Sequence, residues 1–202
     1  MKSKAAADPL KPRKQPGQRR SAETVSAILE ASARILEDAG FEGYTTNRVA
    51  ELAGVSIGSL YQYFPNKDSI TRALIVREME QALRDVEGAA AGAIGRDCLG
   101  RMVAAAVANQ LRRPVLARLL DVEEARLPPD AAVEKMGDEM DGLFRRCLTA
   151  DDLPPAARAA EAVGDLIAII RGMVDAAGRR GETDSTALLE RVNRAVFGYL
   201  SL

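Results

Sequence analysis

The sequence predicts an all-α protein of about nine helices, with a three-helix helix-turn-helix domain at the N-terminus and a larger helical domain behind it. Three observations predict this class. Apolar residues recur at spacings of three and four along most of the chain. No segment alternates apolar and polar residues, and no Asn-Gly or Asp-Gly turn joins two such alternations. Aromatic residues make up only 4% of the 202 residues and Trp is absent, so Ala, Leu, Val and Ile must fill the interior.

The chain opens with a basic stretch. Between Met1 and Arg20 lie Lys2, Lys4, Lys11, Arg13, Lys14, Arg19 and Arg20 against the single acid Asp8, a net +6, so the remaining residues carry −7 of the total −1. Pro9, Pro12, Pro16 and Gly17 interrupt it and little apolar surface is on offer, so residues 1–20 read as a flexible arm. Residues 1–16 fit a solubilising tail as well as a binding arm. Arg19 and Arg20, next to the first helix, are placed to reach a phosphate.

The first helix is predicted over Ser21 to Ala39, where Val25, Ile28, Leu29, Ile35 and Leu36 keep helical spacing, Ser21 or Thr24 can cap and Gly40 supplies the stop. Phe41 and Tyr44 bracket the next connection and read as packing residues that pin it from below.

Thr45 to Lys67 has the spacing of two short helices crossing over a tight turn. Thr45 is set to cap the first and Ser56 the second; Ala50 permits close approach, Gly54 stands where a positive φ is needed, and Val49, Leu52, Val55 and Leu60 form the buried side. The second helix, about Ile57 to Phe64, presents Gly58, Ser59, Tyr61, Gln62 and Tyr63, groups able to bond base edges or phosphates where a solvated face would carry Glu and Lys. Any helical hairpin can hold the Ala, Gly and Leu alone; the full string is more specific.

Gly40-Phe41, Thr45-Thr46, Gly54-Val55-Ser56, Leu60-Tyr61-Gln62-Tyr63-Phe64 and Asn66-Lys67 together resemble the N-terminal signature of the TetR family of bacterial transcriptional regulators, over Thr24 to about Ile75. The resemblance implies that Thr46, Asn47 and Arg48 touch DNA from the start of the second helix, that Ser56, Gly58, Ser59, Tyr61, Gln62 and Tyr63 lie in the major groove, and that Lys67 holds a phosphate. Where the family often has Lys after the serine of the turn, this chain has Ile57, which replaces a phosphate contact with nothing or with an apolar contact to thymine. The resemblance also implies domains at 21–66 and 67–202, the second for dimerisation and for a small-molecule inducer, and hence a homodimeric repressor on a double-stranded DNA operator; the alternative is a helical dimeric protein-interaction module of the same fold without a small-molecule inducer.

Beyond Lys67 the helical pattern breaks at Gly95, Arg113-Pro114, Pro128-Pro129, Pro154-Pro155 and Gly178 to Thr183, giving about six further helices. The last two, about Pro155 to Ala177 and Asp184 to Leu200, have wide apolar faces. Val163, Leu166, Ile167, Ile170, Val174, Leu189, Val192, Val196 and Phe197 suit either a four-helix seam between two copies or a core within one chain. A two-fold dimer would present paired recognition helices to a palindromic site. Candidate pocket residues are Met102, Asn109, Leu116, Leu120, Met136, Met140 and Phe144, pliable apolar side chains with one amide among them, which serve equally as plain core.

Other functions find little support. With no His, no Gly-rich phosphate loop and no nucleophile elbow, the chain offers no catalytic residue, metal site or cofactor motif. Cys98 and Cys147 read as buried core thiols, neither a zinc site nor a disulfide framework. No apolar run suits a signal peptide or a membrane span, so the sequence reads as cytoplasmic.

Overall fold

The computed structural model describes residues 19–201. The arm at Met1 to Pro16 lies outside the described residues, as do the side chains of Arg19 and Arg20, whose backbone opens the first helix. The elements are α1 (Arg19–Gly43), α2 (Thr46–Leu52), α3 (Ile57–Tyr63), α4 (Lys67–Ala90), α5 (Gly95–Arg112), α6 (Pro114–Arg126), α7 (Ala131–Leu148), a 3₁₀ turn at Pro155–Arg158, α8 (Ala162–Arg179) and α9 (Ser185–Leu200). No strand occurs among the described residues. Among the described residues the all-helical expectation and the number of helices both hold.

The chain divides into two units. The first holds residues up to Arg77 together with Leu119–Pro128; the second holds Glu78–Arg118 and everything from Pro129 on. The division falls inside α4, after its first three turns, so α4 contributes to both.

In the first unit α1 breaks at Gly40, whose φ of +58° no other residue type adopts without strain, at the stop that the sequence predicts. Ile28, Leu36, Val49, Leu60, Phe64, Ile70 and Leu74 are completely buried. At roughly 1.5–3 kcal/mol for each large apolar side chain taken out of water, this small core outweighs any surface pair in the unit. Tyr44 joins it with 1% exposure, edge-on to Phe41 at 6.3 Å.

In the second unit α5 is central, packing against α7, α8 and α9. Its start is tied to a distant loop: the Arg96 backbone N–H donates to Asp152 Oδ2 at 3.0 Å, and a Cβ at Gly95 (φ +55°) would overlap the same carboxylate. Cys98 and Cys147 are buried, as expected, but they are joined as a disulfide between α5 and α7 with Cα atoms 5.8 Å apart. Sequence spacing could not show that these two positions face each other.

Two expectations for the C-terminal helices need correction. Pro155 begins a 3₁₀ turn and Ala159 is extended, so α8 starts only at Ala162. Of the nine seam candidates, Val163, Leu166, Ile170, Val174, Val192 and Val196 are buried in the core of their own unit. Ile167, Leu189 and Phe197 stay half-buried at its edge, Phe197 under the Arg96 guanidinium 4.6 Å from its ring centroid. α8 and α9 are also joined by Tyr199, whose hydroxyl donates to Asp165 Oδ2 at 2.7 Å.

The candidate pocket residues fall in both units. Met102 and Phe144 are core residues of the second unit with Met140 packed against them, Leu116 is buried in that unit, and Leu120 belongs to the first. Asn109 donates from Nδ2 to the Ala105 carbonyl at 3.1 Å, and its Oδ1 has no donor among the described residues. Met136 borders a cleft of about 390 Å³, whose other walls are Glu80, Leu83, Arg84, Glu87, Ala132, Lys135 and Glu139. The second half of α4 went unnoticed as a wall because its charged side chains read as ordinary surface.

The disulfide closes a loop of 49 residues, a constraint on the unfolded chain worth about 4 kcal/mol. A reducing agent is therefore expected to lower the thermal midpoint followed by circular dichroism, and intact-mass measurement should find the untreated chain lighter by two hydrogens. Equal masses before and after reduction would show the thiols to be free.

Candidate nucleic-acid interface

Local chemistry fixes the two short helices. Thr45 is extended at the start of α2 and its Oγ1 accepts from the Arg48 N–H at 3.3 Å; Ser56 does the same for α3, accepting from the Ser59 N–H at 3.0 Å. Gly54, at φ +67°, turns the chain between them. Ala50 and Leu60 are buried where the helices meet. The caps and the turn thus match the sequence reading. Leu52 does not: it is 51% exposed at the end of α2, since in so short a helix the positions that face inward are Val49 and Ala50.

α3 is two-sided. Leu60, Tyr63 and Phe64 point into the core, whereas Ser56, Ile57, Gly58, Tyr61 and Gln62 are exposed and Ser59 is half-buried. Tyr63 is the correction here. It is only 9% exposed, and its hydroxyl accepts from Ser21 Oγ at 3.0 Å, so it anchors α3 to α1 and does not belong to the outer face. The spacing of 60, 63 and 64 places these three on one side of a helix, a signal that was available in the sequence. Ser21, for its part, lies inside the first turn of α1 and bonds α3 instead of capping.

The remaining candidates form one surface at the starts of α2 and α3. Asn47 and Arg48 are exposed and Thr46 half-buried. Thr46 Oγ1 and the Tyr61 hydroxyl share a hydrogen bond of 3.1 Å, which links the two helices across this surface and orients the Tyr61 ring. Arg48 Nη1 donates to the Gly43 carbonyl at 3.4 Å, a long bond on an exposed group that a phosphate could replace.

The first turn of α4 completes the surface. Asn66 caps it, its Oδ1 accepting from the Ser69 N–H at 2.8 Å while Ser69 Oγ donates to the Asn66 carbonyl at 2.6 Å. Lys67 is exposed, with Nζ 5.6 Å from the centre of the Tyr44 ring. Thr71 Oγ1 in turn donates to the Tyr44 hydroxyl at 3.4 Å.

Sequence reading missed the residues that hold this turn from the other side. Arg126, at the end of α6, reaches Asp68 Oδ1 at 2.6 Å and Glu123 Oε2 at 2.5 Å, and Arg72 donates to the Pro128 carbonyl. The hydrogen bonds to Glu123 first, then to Asp68, raise the Arg126 pKa still further, so it is charged at every relevant pH. Arg126 and Asp68 are 58 positions apart, and no local pattern announces such a pair.

A polar, partly cationic surface on paired short helices, backed by an apolar core, defines a helix-turn-helix regulatory protein. The comparisons with known proteins agree. Residues 28–74 match the family model for bacterial regulatory proteins of the tetR family, and residues 96–200, just over half of the chain, match the model for a tetracyclin repressor-like C-terminal domain. The chain belongs to the TetR family, whose members are regulators and not enzymes. It is 30% identical over 127 residues to the HTH-type transcriptional repressor KstR of Rhodococcus jostii, covering 60% of this chain and 58% of that one. It therefore spans less than two thirds of that relative. With the HTH-type transcriptional regulator BetI of Burkholderia thailandensis the identity is 28% over 190 residues, covering 82% and 88% of the two chains. A bacterial regulatory protein of the tetR family from Rhodococcus RHA1 has the same fold, with a TM-score of 0.72, 19% identity and coverage of 88% and 96%.

The buried Tyr44 gives a pH test of this core. Burial, opposed by hydrogen bonds from Thr71 and Ser32, raises its pKa above the usual 10.0. The folded state then holds the phenol proton where the unfolded state releases it, so stability is expected to be level with respect to this group below pH 10 and to fall above it. Tyr44→Phe should remove part of that alkaline slope in urea titrations; an unchanged slope would mean that other groups carry it.

Proposed function

We propose that this protein is a ligand-responsive transcriptional regulator, acting as a repressor, that binds a palindromic double-stranded DNA operator as a homodimer and is released by a small molecule. The observation that carries the proposal is the division of α3: Leu60, Tyr63 and Phe64 are committed to the core, while Ser56, Ile57, Gly58, Tyr61 and Gln62 are left outside on a helix too short to serve as a beam. Gln62 supplies an amide that can pair with an adenine edge, Tyr61 and Ser59 supply hydroxyls, and Thr46, Asn47, Arg48 and Lys67 surround them with phosphate-seeking groups.

The repressor assignment draws on KstR, which is a transcriptional repressor. For the homodimer, the outer side of α8 carries Gly164, Ala168 and Gly172 at four-residue spacing, all exposed; a Cβ at either glycine would meet nothing within the chain. Small residues there let a second helix approach closely, with Ile167, Leu189 and Phe197 at the margins. An effector would enter the cleft between α4 and α7, where Leu83, Ala132 and Met136 supply apolar surface and Glu80, Glu87 and Glu139 face Arg84 and Lys135. Because α4 carries Lys67 at one end and this cleft at the other, a ligand that prefers one placement of α4 changes DNA affinity by its differential affinity for the two placements.

The test is a fluorescence-anisotropy titration of the full chain against palindromic duplexes at two salt concentrations. Lys67→Ala should weaken all duplexes alike and flatten the plot of log affinity against log salt by about 0.9 for each copy bound. Tyr61→Ala with Gln62→Ala should instead weaken the preference among duplexes. Tight binding that ignores salt, or selectivity undiminished in the double variant, would defeat this reading.

A further inference from the structure

The first turn of α3 holds one side chain to which polar recognition gives no part. Ile57 opens the helix and is 39% exposed, surrounded on the outer face by Gly58, Tyr61, Gln62 and two serines. It is not among the buried residues of the core behind it. Its neighbours in the turn reach less far. Gly58 has no side chain, and a Cβ added there would meet only Ser56 Oγ at 3.9 Å. The hydroxyls of Ser56 and Ser59 are turned towards each other at 2.8 Å, and Ser56 Oγ is also occupied by the Ser59 N–H. The one large side chain exposed in the first turn of α3 is therefore branched and purely aliphatic.

Residues at the start of a recognition helix are those that meet base edges in the major groove. An aliphatic group there can neither donate nor accept. Of the base edges in that groove only thymine presents a methyl group, at C5; cytosine has a bare C5–H there beside its amino donor, and guanine and adenine present chiefly acceptors and donors. Ile57 placed against any of those three would desolvate a polar edge without replacing its hydrogen bonds, which is unfavourable. We propose that Ile57 is a specificity-determining residue that reads the C5-methyl of one thymine in each half of the operator. The proposal rests on the DNA-binding reading given above, and it depends on the shape and polarity of one side chain, not on the charge of a helix end.

The experiment uses the full chain and duplexes enriched from a randomised library. In the enriched duplex each thymine is replaced by deoxyuridine, one symmetry-related pair at a time, which removes the methyl and nothing else. One pair should respond with a loss of about four-fold per half-site, the effect of withdrawing one methyl-sized apolar contact from burial. Ile57→Ala should bind the thymine and deoxyuridine duplexes equally at that pair while still responding to changes elsewhere, closing a double-mutant cycle with a non-zero interaction. Ile57→Val, which keeps the branched carbon, should preserve the response. 5-Methylcytosine carries the same methyl on a different hydrogen-bonding edge; binding tighter than thymine at that pair would overturn the choice of thymine. An enriched duplex without a methyl-sensitive pair, or a pair whose sensitivity survives Ile57→Ala, would overturn the role of Ile57 and leave DNA binding intact. If the chain, shown to be helical by circular dichroism, enriches no duplex, the DNA-binding reading fails and this inference fails with it.

Discussion

The first turn of α4 is the piece on which the candidate interface depends. It is held on one side by Tyr44, which sits under Lys67 and accepts from Thr71, and on the other by Arg126 and Pro128 at the end of α6, which engage Asp68 and Arg72. The ion pair itself is not the main term, since Arg126 and Asp68 are both well exposed and such pairs are worth about 0–1 kcal/mol. Glu123 is different. With 8% exposure it needs its cation, and removing Arg126 would leave a carboxylate in poor solvation, the costly case for a buried pair. The start of α4 is therefore held in part by side chains remote from it in sequence.

Around that turn, the core of the first unit and the polar face of α3 are two results of one constraint. A seven-residue helix has room for a single inward stripe, and Leu60, Tyr63 and Phe64 occupy it. Whatever remains must face outward, so the outer set follows from the packing. The Thr46 to Tyr61 hydrogen bond then makes the two helix starts a single surface.

Much of this was legible in the sequence because it is local. Caps at Thr45 and Ser56, the left-handed glycine at position 54 and the stop at Gly40 each follow from residue types within a few positions of one another. Tyr63 was misplaced although its spacing held the answer, because its hydroxyl suggested an outward role; the hydroxyl is instead taken up by Ser21, 42 positions away. The same distance in sequence hid the Asp68 to Arg126 contact and the pairing of Cys98 with Cys147. Wide apolar faces on the last two helices could not say whether a second copy or the chain's own α5 covers them. For Val163, Leu166, Ile170, Val174, Val192 and Val196, it is the chain itself.

The bond between Cys98 and Cys147 also bears on how the second unit can adapt to an occupant. Two helices riveted at that point cannot part there, so new interior volume has to be made by helices that carry no such rivet, and among those bordering the cleft that leaves α4. Part of the ordering that any guest would otherwise impose is already built into the covalent structure. That favours affinity, because less freedom remains to be lost on binding, and it narrows the range of shapes the interior can accept.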